Sequence, residues 1–137
     1  MSALGFLVAG LLASAQPNTA DADKKYEIDV SATTKQVKAG DNGMFHMHIK
    51  PAKGYKVSTD APLKIKLASK DLKLHKDKLS VKDAKDSKAK APEFGVKFGA
   101  PSECSASIEV DASFFVCDAN ICERKKEKIS IPVAVRN

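Results

Sequence analysis

The sequence predicts a small all-β sandwich that follows an export signal. Three observations carry this reading. Apolar and polar residues alternate strictly in several short segments, turn residues separate those segments, and an uncharged apolar run opens the chain. The length of 137 residues suits one domain. Hydrophobic residues make up 43%, enough for a core, and charged residues make up 29%, enough for a solvated surface.

Residues 1–15 read as a secretory signal peptide. Leu4 to Ala13 carries no charge, and Ala13-Ser14-Ala15 is a small-residue cleavage pattern. No Lys or Arg follows Met1, so the positive start of such signals is missing. The run is short for a bilayer span, which takes ~20 apolar residues. No membrane span is therefore expected once the signal is cleaved. Residues 16–25, with Pro17, Asn18 and Asp21, read as a flexible leader. The folded domain is expected over 26–137, in the periplasm or outside the cell.

Within that domain Tyr26, Ile28 and Val30 alternate with Glu27 and Asp29. Lys38 to Gly43 reads as a turn with two glycines. Phe45, Met47 and Ile49 then alternate with Met44, His46 and His48, which puts the two sets on opposite faces of a strand. Pro51 to Gly54 ends it. Leu63, Ile65 and Leu67 mark the next strand. Residues 69–91 are rich in lysine and suggest a short strand pair, with Val81 to Lys90 ambiguous. Phe94, Val96 and Phe98 form a further strand, and Ile108 to Phe114 another that runs towards Cys117. The last strand holds Ile129, Ile131, Val133 and Val135. Pro132 lies within it and cannot donate to a ladder, so that strand should be an edge or carry a bulge.

The net charge of +6 raises the question of an anionic partner. Nucleic acid is not expected. The lysines are scattered among acids, only Arg124 and Arg136 are arginines, Trp is absent and aromatics are 6%. The chain also lacks a nucleophile-elbow Gly-x-Ser-x-Gly, a phosphate-cradling glycine loop and a His-Glu-x-x-His.

The chemistry is concentrated in three cysteines, Cys104, Cys117 and Cys122. Cys117 and Cys122 flank Asp118-Ala119-Asn120-Ile121, and a hairpin-like turn brings such a pair within disulfide range. Arg124, Lys125 and Lys126 would favour a thiolate, while Asp118 and Glu123 oppose it. The spacing is not the Cys-x-x-Cys of redox motifs, and no second pair completes a zinc site. The bridge is thus either reactive or a plain hairpin staple. Cys104 is left as a free thiol, an intermolecular link or an alternative partner. A separate group, Met44, His46 and His48, offers thioether and imidazole ligands on one face, a copper-handling alternative.

Gly54-Tyr55, Pro62-Leu63-Lys64-Ile65, Glu93-Phe94 and Phe115-Val116-Cys117 to Cys122 occur in that order before an alternating last strand. This order resembles the amino-terminal periplasmic domain of the DsbD thiol:disulfide interchange proteins, over roughly 37–135. The resemblance implies an immunoglobulin-like antiparallel sandwich. It implies that Cys117 and Cys122 are a redox pair passing reducing equivalents, with Tyr55 shielding them. It also implies a thioredoxin-like or membrane electron-carrier partner and no cofactor. Three features depart from the family. The cysteine spacing is one residue shorter, Cys104 is extra, and no transmembrane or thioredoxin-like domain follows the last strand. The alternative from another class is a non-enzymatic binding module whose bridge is structural.

Overall fold

A computed structural model describes residues 25–137. The expected signal at 1–15, and the leader apart from Lys25, lie outside the described residues. The described chain is all-β, with ten strands. They are β1 (Tyr26–Asp29), β2 (Gln36–Lys38), β3 (Asn42–Pro51), β4 (Lys56–Val57), β5 (Lys64–Ala68), β6 (Lys73–Leu74), β7 (Lys78–Leu79), β8 (Glu93–Gly99), β9 (Cys104–Cys117) and β10 (Cys122–Arg136). One sheet has the order β1-β3-β8-β6. The other has the order β2-β10-β9-β5-β7, with β4 also paired to β9. The two sheets face each other in the manner of a β-sandwich.

Alternation decides which side chains meet between the sheets. Phe45, Met47 and Ile49 of β3 and Phe94 and Phe98 of β8 are fully enclosed, as are Ile108 and Phe114 of β9. Burying each such side chain contributes about 1.5–3 kcal/mol, which is why the predicted two-residue period locates these strands.

Several local expectations are corrected. The turn after β2 is tighter than expected: Gly40 adopts φ +91°, and β3 already begins at Asn42. The segment 69–91 does not form a strand pair. β6 joins β8 in one sheet and β7 joins β5 in the other, and Val81–Asp83 is a single 3-10 turn. Each strand is two residues long, so its pairing is fixed by what Leu74 and Leu79 cover rather than by a hairpin.

β9 and β10 form one long hairpin with constant register from Cys117↔Cys122 to Cys104↔Val135, so Pro132 sits in no bulge. β2 pairs with β10 in parallel, a departure from the antiparallel expectation, and only at Ala134 to Arg136, which leaves the outer edge open at Pro132. The Asp118 N–H donates to the Ile121 carbonyl at the hairpin tip. Counting alternate pairs back from that bond puts Pro132 and Ser107 in a non-hydrogen-bonded pair, where a missing N–H costs the hairpin nothing.

Candidate functional site

The hairpin tip holds a disulfide. Cys117 and Cys122 are directly opposed, with Cα atoms 4.0 Å apart and an S–S bond of 2.02 Å. They form a non-hydrogen-bonded pair, the type in which opposed side chains approach most closely. Asp118 builds the turn between them. Its Oδ1 accepts the N–H groups of Asn120 at 2.8 Å and Ile121 at 2.7 Å. Those two bonds hold its carboxyl below the usual range. The two cysteines are unequally exposed: Cys117 is 3% exposed, whereas Cys122 is exposed.

Strand alternation sorts the neighbouring charges onto two faces. Phe114 and Val116 point into the sandwich, so Phe115 and Cys117 belong to the outer face of β9. Their partners Arg124 and Cys122 share that face, followed by Lys126 and Lys128. Lys56 of β4 is opposite Cys117 on the other side. Glu123 and Lys125 turn inward. The opposition between cations and acids seen in the sequence is resolved in part, since the Asp118 carboxylate stays at the tip, bound to the Asn120 and Ile121 N–H groups. Arg124 and Lys56 stay on the sulfurs' face, and Glu123 leaves it.

On the inner side Glu123 accepts from Lys25 at 2.6 Å and pairs with Lys125 at 2.9 Å. Tyr26 stacks edge-on against Phe114, with ring centroids 5.1 Å apart, and its hydroxyl donates to Glu127. Burial, then that bond, pushes the Tyr26 phenol well above its ordinary value. Tyr26 of one sheet, with Lys25 just before it, thus covers the inward charges on the free edge of the other. Inward-pointing charge also discourages edge-to-edge association.

Tyr55, expected from the resemblance to shield the cysteines, precedes β4 at the same end of the fold. Its half-buried ring lies 5.6 Å from the Lys25 ammonium. Tyr55 packs against the core in the turn just ahead of β4. Cys104 begins β9 opposite Val135 and is a half-buried free thiol. Thirteen strand positions, roughly 40 Å, separate it from Cys117, so it is not an alternative partner within the chain.

Met44, His46 and His48 share the outer face of β3, as alternation requires. Glu93, opposite His48 on β8, lies 3.5 Å from His46 Nε2 and 3.6 Å from His48 Nδ1. The Lys85 ammonium lies 3.4 Å from the same carboxylate, where it supplies positive charge. Among the described residues no group of three or more His, Cys, Asp and Glu is arranged to hold a metal ion.

No family model matches the chain, and no curated protein sequence matches it. Among solved structures it is similar to domains 4 and 5 of the S-layer protein SbsC, with a TM-score of 0.48 and 17% identity over 82% of this chain. The matched region spans 53% of that structure, about half its length.

Lys25, Lys56 and the inward turn of Glu123 were not singled out from the sequence. Their roles depend on register between strands far apart in the chain. The Lys25 link has a measurable consequence. Hydrogen bonds from Lys25, then Lys125, hold the Glu123 carboxyl at about 2. A carboxyl lowered on folding adds stability above its unfolded value of about 4.3, and that stability is lost as pH falls towards 2. Lys25→Ala should therefore lower the urea midpoint at pH 6, with the deficit shrinking as pH approaches 2. A deficit that stays constant across this range would separate the ion pair from the stability difference.

Proposed function

We propose that this chain is an exported thiol–disulfide exchange protein whose working bond is Cys117–Cys122, carried on an immunoglobulin-like sandwich. The observation that carries the reading is a disulfide at a hairpin tip with one of its two cysteines exposed and cations on its face. Cys122 is exposed, and Arg124 and Lys56 share the outer face with the pair. Positive charge nearby favours the thiolate, the reactive species.

In the reduced protein the Cys122 thiolate attacks one sulfur of a partner disulfide, and the partner's other sulfur leaves as a thiolate. Cys117 then attacks Cys122 Sγ in the mixed disulfide. The intramolecular bond reforms and the partner departs as a dithiol. Two electrons have moved to the partner, and the reverse sequence reduces this chain. Tyr55 acts by steadying Lys25, and through it Glu123, away from the sulfurs. The partner is a thioredoxin-like protein or a membrane electron carrier.

The strand orders support the fold reading. Taking β1, β3, β8 and β6 as A, B, E and D, and β10, β9 and β5 as G, F and C, parallels the A-B-E-D and G-F-C orders of an immunoglobulin domain, with β2 and β4 added to the second sheet. One departure is that β6 precedes β7 in the chain, so the D position is filled before the strand beside C. The disulfide supports an oxidising, extracytoplasmic location. No helix among the described residues is long and apolar enough to cross a membrane.

One observation favours the structural alternative: Cys117 is buried, as a staple's sulfur would be. The reduction potential decides between them. Equilibration with glutathione or dithiothreitol should give a value above about −300 mV; a lower one would make the bridge a staple and the protein a binding module.

A further inference from the structure

The outer face of β5, β9 and β10 carries an unneutralised basic field beside Cys122. Lys64 and Lys126 flank Ser113, and Lys66 and Lys128 flank Asp111, in two adjacent cross-strand rows. With Arg124 these residues line a shallow groove of about 630 Å³. All five cations are exposed, and none is ion-paired among the described residues. Asp111 is the one acid lining the groove. Arg124 is held over the sheet by its Nε, which donates to Ser113 Oγ at 3.3 Å. The lysines of each row stand two strand spacings apart, roughly 10 Å, with β9 between them, so their repulsion is a shared positive field rather than a pairwise clash. An acidic surface laid over them lowers that field.

We infer that this face is the docking surface for an acidic partner protein that exchanges disulfides with Cys122. The inference rests on the exchange reading above. Geometry ties the two together. Alternate positions on one strand face are roughly 7 Å apart, so Arg124 and Lys126 lie about 7 and 13 Å from Cys122, and Lys128 about 20 Å. A typical partner covers about 800 Å², a disc of roughly 16 Å radius. A partner interface centred on Cys122 therefore covers Arg124 and Lys126, and one displaced by about 4 Å along β10 reaches Lys128 as well. A basic partner would meet five cations against the single acid Asp111 there, and an acidic one is steered in. Complementary charge of this kind acts mainly on the association rate and fades with salt.

The test uses cysteine peptides activated with thionitrobenzoate and flanked by glutamates, serines or lysines. The reduced full chain displaces the coloured thiolate in forming the mixed disulfide, and the release rate is followed at low and high salt. The glutamate peptide should react about tenfold faster than the serine peptide at low salt, with the gap closing at about 0.5 M. Lys126→Glu/Lys128→Glu should abolish the gap. Lys73→Glu/Lys97→Glu, an equal charge change on the other sheet, should largely preserve it. Equal rates for all three peptides, or equal losses in both double variants, would overturn the proposal.

Binding of a fluorescent glutamate peptide with serine in place of cysteine, read by anisotropy, separates docking from exchange. If no activated peptide reacts faster with the native chain than with the urea-unfolded one, exchange fails. Salt-sensitive anisotropy lost in Lys126→Glu/Lys128→Glu would still support the acidic-partner surface, and absent binding would overturn it. Phosphatidylglycerol vesicles that bind the wild type but not this variant, with no peptide discrimination, would assign the face to a lipid surface and overturn the proposal.

Discussion

In reduced protein with Cys104 replaced by serine, Cys117→Ser should react with a disulfide reagent roughly a hundredfold faster than Cys122→Ser. The asymmetry comes from access. Cys117 is 3% exposed beside the buried Val116, whereas Cys122 opens to solvent at the start of β10. A thiolate must reach its target sulfur in line with the bond to be broken, so a buried sulfur attacks and is attacked slowly. Charge acts in the same direction: Arg124 is the next residue after Cys122 on the outer face, and Glu123 is turned inward and paired with Lys25. Arg124→Glu in the Cys117→Ser background should therefore slow the reaction and raise the pH at which its rate is half-maximal. Incubation with a thioredoxin-like protein lacking its resolving cysteine should trap a mixed disulfide through Cys122. Equal rates for the two single-cysteine proteins would remove the assignment of Cys122 as the attacking sulfur. The direction of the Arg124→Glu shift would still report whether the outer face sets the thiolate.

The cysteine pair was legible in the sequence because a four-residue connection between two strand segments leaves little freedom. Its electrostatics were not. Arg124, Lys125 and Lys126 look alike in the sequence, yet register with β9 sends Arg124 and Lys126 outward and Lys125 inward to Glu123. The core strands β3, β5, β8 and β9 were readable because each buries one face, and burial imposes the two-residue period. The first half of β10, Cys122 to Lys128, has no apolar residue to reveal that period after Cys122. It is a strand because β9 supplies a complete ladder for it. β2 has one apolar residue, Val37, and β6 and β7 are two residues each, so local pattern held too little signal. The basic groove was hidden for a related reason. Lys64 and Lys66 are sixty positions from Arg124 to Lys128 in the chain, and β9 brings the two sets within two strand spacings.

Gly43→Ala should lower the melting temperature by roughly 10 °C, a change normally mild in a strand. Gly43 lies opposite Phe98 on β8, and Phe98 is fully enclosed. A Cβ at Gly43 would stand 2.3 Å from Phe98 Cζ and 2.7 Å from its Cε2. Carbon atoms prefer about 3.5–4.0 Å, so the ring would have to move. It has nowhere to go without displacing other core side chains, and overpacking of this kind costs about 1–3 kcal/mol. Replacing glycine by alanine reduces unfolded-state entropy and contributes about 0.4–1 kcal/mol in the opposite direction, but only where the site can hold a methyl. Gly43 is not among the positive-φ glycines, so backbone conformation is not the obstacle and the sign is set by the ring. Gly95 provides the contrast on the same strand pair. A Cβ there meets Met44 Cε at 3.5 Å and the Phe45 carbonyl at 3.8 Å, which is ordinary contact. Gly95→Ala should thus be neutral or slightly stabilising. Each kcal/mol shifts the midpoint of a domain this size by about 4–8 °C, so the two variants are easily told apart by thermal melts. Adding Phe98→Leu to Gly43→Ala should cost less than the sum of the two single changes, because the shorter side chain vacates the space the methyl needs. If Gly43→Ala melts within about 2 °C of the wild type, or if the double variant is strictly additive, the ring does not fill the space above that glycine.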